Sequence, residues 1–225
     1  MITVLVPALD RPERVAPMAE SFRCASRADS TIVWLLSGDD EATALACDQE
    51  GVPYALVPFP LAGGDYARKI NYGVEITDAP WLLQAGDDLD FHDGWDETLL
   101  LFAQDRPAAC VIGTNDLGNP TVQSGVHSTH SLIARDYIVE QGTVDEPGKA
   151  LHEGYWHCWV DNELVDTAKA RRVYWSCRAA HVEHLHHIWR KGDNDATYRR
   201  GQKRYRQDHR LFMRRRPLWR RTRDG

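Results

Sequence analysis

The chain has 225 residues, of which 43% are apolar and 27% charged, and its formal net charge is −6. Its longest apolar runs, such as residues 32–36, are far shorter than the ~20 residues of a membrane-spanning helix, and the N-terminus lacks the features of a signal peptide. Five widely spaced cysteines without a C-x-x-C motif argue against a disulfide framework or a structural zinc site, so we expect a cytoplasmic protein.

Short β-branched runs alternate with amphipathic segments through the first half of the chain. Strands separated by helices of 10–15 residues are typical of βαβ units, which form a parallel sheet with helices on both faces. We therefore predict an α/β fold with a mostly parallel, Rossmann-like sheet. The predicted strands are residues 2–6, 31–36, 53–57, 80–84 and 109–113, and the predicted helices are 12–27, one ending near residue 50, 65–76 and 94–104.

Past Gly118 the alternation weakens. A helix over residues 160–171 is still clearly indicated, and from about residue 193 the sequence becomes helical and basic. We predict further strands at residues 126–134, 173–177 and 180–185.

Polar side chains follow four of the predicted strands. They are Asp10, the pair Asp39 and Asp40, the loop of residues 63–65, and the acidic run at residues 87–90. Because ligands bind at the carboxyl ends of the strands in such sheets, this edge is the candidate functional site.

The acidic run places Asp87, Asp88 and Asp90 directly after a buried strand. Three carboxylates so close together repel one another unless a positive charge lies between them, and Mg²⁺ or Mn²⁺ accepts such oxygen ligands. The alternative is a solvated loop that caps the helix beginning near Gly94. Both interpretations are open at this point.

Four histidines lie near the end of the predicted domain. On a strand, His184 and His186 would point to one face and His181 and His187 away from it. His184 or His186 could complete a metal site begun by the carboxylates, or all four could be ordinary surface or core histidines. The spacing does not match a structural zinc site.

Two carboxylates open the helix predicted at residues 160–171. Either Asp161 or Glu163 could cap the helix, and the other could face the site and act as a general base. The local sequence does not separate the two.

A glycine pair precedes another helix. Gly63 and Gly64, followed by Arg68 and Lys69, would suit a diphosphate held by backbone N–H groups at a helix start. The sequence contains neither a P-loop nor a G-x-G-x-x-G motif, so an ATPase of that type and a dinucleotide dehydrogenase are not supported.

Taken in order, these segments resemble the nucleotide-sugar-dependent glycosyltransferases of the GT-A fold, in particular the family 2-like enzymes and their relatives in phage genomes. The resemblance covers about residues 1–200. The matching segments are VLVPALDRP at residues 4–12, SGDD at 37–40, KINYG at 69–73, DDLDFHDGW at 87–95, DNEL at 161–164 and HLH at 184–186.

The resemblance implies a nucleotide-binding half over residues 1–115, an acceptor half over residues 116–190 and a basic helical extension over residues 191–225. The donor would be a nucleoside-diphosphate sugar, most simply a UDP-sugar. The implied nucleotide-site residues are Pro7, Ala8 and Asp10 in the pocket, Asp39 or Asp40 on the base, Lys69 and Asn71 near the diphosphate or sugar, and Asp87.

The resemblance also implies the metal-binding and catalytic residues. Asp88 and Asp90 would be the D-x-D pair that holds Mn²⁺ or Mg²⁺, with His184 or His186 as a further ligand. Asp161 or Glu163 would deprotonate the acceptor hydroxyl, and in-line attack with a single base predicts inversion at the anomeric carbon. The family often has its acidic motif directly after the strand, whereas here Gly86 precedes it and Leu89 interrupts it, so which two aspartates bind metal stays open.

The C-terminal extension differs in charge from the rest of the chain. Residues 188–225 carry a net charge of +10, whereas residues 1–187 carry −16. Arginines interleaved with Tyr205, Phe212 and Trp219 suit a polyanion, either DNA bearing a hydroxylated base as acceptor or an anionic membrane. The alternative is a solvated basic helix packed against an acidic body.

Two other functions are consistent with the residue types. One is a non-catalytic nucleic-acid-binding protein on a degenerate GT-A fold, although a protein without activity need not keep clustered like charges. The other is a nucleotidyltransferase, which also uses paired carboxylates and metal, but the N-terminus lacks the glycine- and arginine-rich signature of that class.

Overall fold

The computed structural model describes residues 1–62 and 65–221, with side chains as far as Trp219. The predicted phosphate loop at Gly63 and Gly64 and the last four residues of the basic extension lie outside the described residues. Among the described residues, no helix is both long and apolar enough to cross a bilayer.

In the described part of the chain, eight strands form one continuous sheet. The apolar, β-branched runs of the sequence supply its buried centre, and all six residues of the first strand are buried. The strands are β1 (Ile2–Pro7), β2 (Ser30–Leu36), β3 (Tyr54–Leu56), β4 (Trp81–Gln84), β5 (Leu89–Phe91), β6 (Val111–Asn115), β7 (Ser131–Ala134) and β8 (Tyr174–His184).

The strand order is β3-β2-β1-β4-β7-β6-β8-β5. The pairs β3–β2, β2–β1, β1–β4 and β6–β8 are parallel, whereas β7 is antiparallel to both neighbours and β5 is antiparallel to β8. The predicted α/β class with a mostly parallel sheet is confirmed.

The structure differs from the sequence prediction mainly in the second half. Residues 173–177 and 180–185 were predicted as separate strands, but β8 is a single strand of eleven residues. The strand predicted at 126–134 is reduced to the four residues of β7. Strand β5 lies within the predicted acidic loop, because Leu89 and Phe91 are buried in the core and pair with β8.

Helices cover both faces of the sheet. Pro12 opens a short 3-10 turn before the first α-helix, and the side chain of Asp40 caps the second by accepting a hydrogen bond from the Thr43 N–H at 3.2 Å. The helices are α1 (Val15–Ala25), α2 (Glu41–Glu50), α3 (Asp65–Glu75), α4 (Trp95–Ala103), α5 (Pro120–Gln123), α6 (Arg135–Glu140), α7 (Val160–Ala170), α8 (Ala196–Gln202) and α9 (Tyr205–Arg221).

Alternate residues of the central strands supply two apolar layers. Val4 and Val6 face α1 and α4, where Phe22 and Trp95 pack with ring centroids 6.2 Å apart. Leu5 faces the opposite layer, which contains residues of α3, α7 and α9. The sheet is therefore buried on both sides, as its continuous apolar runs require.

The basic extension is part of the folded body. Phe212 and Trp219 of α9 are 7% and 4% exposed and belong to the second apolar layer. At the start of α9 the carboxylate of Asp208 accepts hydrogen bonds from three consecutive backbone N–H groups, those of residues 156–158, at 2.7–2.9 Å. Helix α9 thus fixes the segment that leads into α7.

Candidate active site

A cavity of about 840 Å³ opens at the carboxyl ends of β1 and β4. Pro7 and Ala8 line one wall, Asp87 and Asp88 lie at its base, and Asp161 at the start of α7 faces it from the other side. This is the position where open α/β sheets bind ligands, and the volume is in the range of small-molecule sites.

At the base of the cavity a cation of the protein lies beside the aspartates. The guanidinium of Arg11, itself 4% exposed, donates a hydrogen bond to Asp87, and the other side of the same group contacts Asp195 at 2.5 Å. Three close carboxylates require a positive charge between them, and Arg11, from the segment after β1, places one beside Asp87.

Asp88 has different partners. Its Oδ2 lies 3.2 Å from Nε2 of His184 and accepts a hydrogen bond from the hydroxyl of Tyr198 in α8. Antiparallel pairing of β5 with β8 sets Leu89 opposite His184, so the residue before Leu89 is held beside that histidine. Residues 88 and 184 are therefore brought together by the register of the sheet.

The two adjacent aspartates titrate differently. Burial, together with the charge of Asp88, raises the pKa of Asp87 to about 7 against the opposing effect of Arg11. Burial also raises the pKa of Asp88, but His184 and Tyr198 outweigh it and hold that pKa below its usual range. Asp88 is accordingly the firmly ionised member of the pair.

Gly86 directly precedes the acidic run and packs closely against it. A Cβ at this position would lie 2.8 Å from Oδ1 of Asp88 and 3.6 Å from Nε2 of His130. The missing side chain leaves room for the Asp88 carboxylate beside the backbone of residue 86.

Two further histidine rings flank His184, which contacts the Asp88 carboxylate. The ring of His184 is 4.7 Å from that of His130 and 4.9 Å from that of His186, between centroids. Burial and the neighbouring His184 lower the pKa of His130 to about 3, and burial with the same neighbour lowers that of His186 to about 4. Within the described chain, the buried Nδ1 atoms of His130 and His184 have no hydrogen-bond partner.

Asp161 lies in the first turn of α7. Its Oδ2 is 3.2 Å from Nε2 of His127, and its side chain is 22% exposed, so solvent or a ligand can reach it from the cavity. Burial raises the pKa of Asp161, but the contact with His127 and the N–H of Asn162 outweigh this and lower it. Asp161 is ionised at neutral pH and can accept a proton.

Glu163 does not line this cavity. Its carboxylate is 3% exposed, accepts hydrogen bonds from Nε of Arg215 at 2.8 and 3.1 Å, and accepts another from the hydroxyl of Tyr155 at 2.6 Å. Arg215 also contacts Asp145 through its two terminal nitrogens. Of the two carboxylates that the sequence left open, Asp161 is the one that lines the cavity, and Glu163 joins α7 to α9.

The Glu163–Arg215 pair gives a stability prediction. We expect Arg215→Met to lower the free energy of unfolding by about 3–5 kcal/mol, because it leaves a buried carboxylate without its counter-charge. Arg214→Met, on the exposed side of α9, should change it by less than ~0.5 kcal/mol. Urea unfolding followed by circular dichroism measures both, and equal losses for the two variants would contradict the assignment.

The aspartates assigned to the nucleotide pocket, Asp10, Asp39 and Asp40, do not line the described cavity. Asp10 is exposed, and its backbone N–H donates to Oδ2 of Asp40 at 2.9 Å. Asp40 is buried as the cap of α2, whereas Asp39 beside it is exposed. Asp40 therefore shapes the turn, and Asp39 offers the free carboxylate.

The two residues of α3 that were expected near the diphosphate or sugar, Lys69 and Asn71, make contacts within the protein. Lys69 is fully buried and donates to the Ala8 carbonyl at 2.7 Å and to the Ser37 hydroxyl at 2.9 Å. Asn71 donates to the carbonyl of Leu151 at 2.8 Å and accepts a hydrogen bond from its N–H at 3.1 Å. Neither lines the described cavity, so Lys69 supports the wall next to Ala8 from behind.

Asp90 belongs to strand β5, whereas Asp88 lies directly before that strand. Asp90 lies opposite Glu183 of β8, and with His92 these residues bring ligand atoms within 4.8 Å of one another. Glu183 already contacts Lys191 at 2.6 Å. Of the predicted D-x-D pair, Asp88 lines the described cavity and Asp90 does not.

Four residues of the site were not singled out from the sequence: Arg11, His127, His130 and Tyr198. The acidic cluster signalled that a cation was needed, but the sequence offered no means of choosing Arg11. His127 and His130 lie in the part of the sequence where the strand–helix alternation is weak, so no local pattern places them. Tyr198 belongs to a helix and lies 110 residues from Asp88 along the chain.

No protein-family profile matches the sequence, and no curated protein is significantly similar to it. Solved structures do match the fold, and together with the sheet and the cavity they define it as GT-A.

Three of these structures illustrate the likeness. TarS from S. aureus, in complex with UDP, has a TM-score of 0.61 at 9% identity over 78% of this chain and 57% of its own. Glucosyl-3-phosphoglycerate synthase from Mycobacterium tuberculosis, with Mn²⁺, UDP and glucosyl-3-phosphoglycerate, has a TM-score of 0.60 at 13% identity over 82% of this chain and 71% of its own. The mannosyltransferase PcManGT from Pyrobaculum calidifontis, with GDP-Man and Mn²⁺, has a TM-score of 0.62 at 13% identity over 84% of this chain and 59% of its own.

This chain thus spans little more than half the length of the first of these structures. At sequence identities of 9% and 13%, the likeness to these structures shows a similar fold and nothing more.

Proposed function

We propose that this protein is a metal-dependent, inverting glycosyltransferase that moves a sugar from a nucleoside-diphosphate sugar, such as a UDP-sugar, to an acceptor hydroxyl. The observation that carries the proposal is that one cavity of a GT-A fold contains both the Asp88–His184 pair and Asp161. Structures of the same fold hold UDP, or GDP-Man with Mn²⁺. In this proposal residues 1–115 bind the nucleotide and residues 116–190 the acceptor.

The residues at the base of the cavity fit a divalent cation. Asp88 offers a carboxylate oxygen, His184 and His186 offer imidazole nitrogens, and Gly86 leaves the space beside the carboxylate open. Two or three protein ligands suffice for an ion that also binds the phosphates of its substrate, and a mixed O and N set suits Mn²⁺ better than Mg²⁺. When bound, the cation supplies positive charge where the nucleoside diphosphate departs.

Asp161 is the proposed general base. Its ionised carboxylate takes the proton of the acceptor hydroxyl as the oxygen bonds to the anomeric carbon and the bond to the diphosphate breaks. His127 holds one carboxylate oxygen and so orients the other toward the cavity. A single displacement inverts the anomeric carbon, which NMR of the product measures; retention would contradict this step.

The nucleotide would lie along the wall formed by Pro7 and Ala8, whose backbone is fixed by Lys69. Asp39, exposed at the end of β2, is the better placed of the two aspartates to contact the base. Asp87, already paired with Arg11, would contribute to the site chiefly by orienting that arginine.

A hydrolysis screen tests the proposal. The protein is incubated with UDP- and GDP-sugars in the presence of Mn²⁺ or of EDTA, and the released nucleoside diphosphate is measured. We expect turnover of one donor with Mn²⁺ and none in EDTA. Release of pyrophosphate from nucleoside triphosphates would indicate a nucleotidyltransferase instead, and no turnover with any donor would favour a non-catalytic protein.

For the acceptor we propose a hydroxyl carried on DNA. The supporting observation is a row of exposed cations on α9 and on the connection that precedes it, with no carboxylate within 4.0 Å among the described residues. Paired cations of the extension, such as Arg215, are turned inward, so the outer row is free to meet phosphates. The row comprises Lys203, Arg204, Arg206, Arg210 and Arg214.

Neutralising this row gives a binding prediction. Because α9 is part of the core, substitution is preferable to truncation, and we expect the triple variant Arg206→Gln/Arg210→Gln/Arg214→Gln to fold normally. Its affinity for duplex DNA should fall. The slope of log K against log[salt] should also become less negative by about 3. Fluorescence anisotropy measures both quantities. An unchanged slope, or wild-type protein that binds no DNA at low salt, would contradict DNA as the acceptor.

A further inference from the structure

Helix α8 lies directly on the acidic base of the cavity. Asp195 caps the helix by accepting the N–H of Tyr198 at 3.0 Å, and its other oxygen accepts from Arg11 at 2.5 and 3.1 Å. The Arg11 guanidinium also lies 4.9 Å from the centre of the Tyr198 ring. The helix is therefore tied to the same arginine that contacts Asp87.

The proposed metal ligand is engaged by this helix. The hydroxyl of Tyr198 donates to Oδ2 of Asp88, the same oxygen that lies 3.2 Å from His184. A carboxylate oxygen has two lone pairs, and these two contacts use both. A cation that binds this oxygen must displace one of them, and Tyr198, which belongs to a short helix, moves more easily than His184 in the sheet.

The attachment of α8 is mostly polar. Only Tyr198 and Gly201 of its seven residues are buried. Its remaining contacts with the body include Arg200 to Asp10 at 3.5 Å and the Thr197 hydroxyl to the Leu9 carbonyl at 3.4 Å. Few buried apolar contacts are typical of segments that open at low cost in free energy.

We propose that Tyr198 competes with the cation for Asp88, and that α8 is a gate that moves off the acidic base when the cation and the nucleotide bind. This inference rests on the proposed metal site at Asp88. It assigns to Tyr198 a regulatory contact: the tyrosine lowers the affinity for cation alone, so that the nucleotide and the cation are bound together.

Calorimetric titration of the full chain with Mn²⁺ tests the competition. Removal of one hydrogen bond to a charged group predicts that Tyr198→Phe binds Mn²⁺ about 10-fold more tightly than wild type. Tyr205→Phe is the matched control, because this tyrosine also borders the cavity but contacts Trp159 through its ring. The control should bind Mn²⁺ as wild type does.

Hydrogen exchange provides a second readout that does not depend on turnover. Adding Mn²⁺ with UDP to wild type should speed exchange of the amides in residues 196–202 several-fold, whereas amides in the middle of α9 should be unaffected. In Tyr198→Phe these amides should exchange faster before any ligand is added.

The outcomes separate this inference from the proposed function. If wild type binds Mn²⁺ through Asp88 but Tyr198→Phe has the same affinity, or if the nucleotide and Mn²⁺ increase the protection of α8, the gate is overturned and the metal site stands. If neither wild type nor Tyr198→Phe binds Mn²⁺, the metal site and the gate both fail.

Discussion

Replacing Asp161 with asparagine is expected to lower the rate of donor turnover by about 10²–10⁴-fold. The amide keeps the shape of the side chain and its contact with His127, but it cannot take a proton. Because Asp161 lies across the cavity from the proposed nucleotide wall, the affinity for UDP with Mn²⁺ should change little. Release of nucleoside diphosphate, measured beside calorimetric binding of UDP, separates the two effects.

Asp166→Asn is the matched control for this change. Asp166 is on the same helix and borders the same cavity, and we expect its replacement to lower turnover by less than ~10-fold. If Asp161→Asn keeps its activity within a few-fold, or if both variants lose activity alike, Asp161 is not the base.

Asp88→Asn is expected to abolish Mn²⁺-dependent turnover and to weaken binding of Mn²⁺ by roughly 100-fold or more. The neutral amide is a poor ligand for a hard cation, and the substitution also removes the charge that pairs with His184. Electron paramagnetic resonance of free Mn²⁺ measures the binding directly.

Asp90→Asn provides the control, since this aspartate belongs to the same sequence motif but lies in β5 with His92 and Glu183. We expect its affinity for Mn²⁺ and its turnover to match those of wild type. If Asp90→Asn loses activity and Asp88→Asn does not, the metal site would instead be the group of Asp90, His92 and Glu183.

The first half of the fold could be predicted because its signals are local. Each strand from residues 2–6 to 53–57 is a short apolar run followed by a helix, and helix and strand differ in hydrophobic period. The second half has an antiparallel strand, a long strand with a mixed pattern and a three-residue strand within the acidic run. Their conformation depends on pairing with distant strands, which no local pattern records.

The candidate site could be predicted only in outline. Asp161 and Glu163 are two residues apart, which is about 200° around a helix, so they must face different surroundings. The surroundings of Glu163 include Arg215, 52 residues further along the chain, and only the packing of α9 against α7 reveals that pair.

The acidic run shows the same limit. Its spacing suggested Asp88 and Asp90 as a pair, but Leu89 and Phe91 commit residues 89–91 to strand β5, which carries Asp90 away from the cavity. The need for positive charge was predictable from three close carboxylates. Tertiary structure alone reveals the contact of Arg11 with Asp87 and that of Tyr198 with Asp88.

The most direct test of the account is a crystal structure with Mn²⁺ and UDP, with the ion located by its anomalous scattering. We expect a peak bound by Asp88 and His184, in contact with the UDP diphosphate beside Pro7 and Ala8. A peak found only at Asp90, His92 and Glu183, or UDP bound with no ion at Asp88, would contradict it.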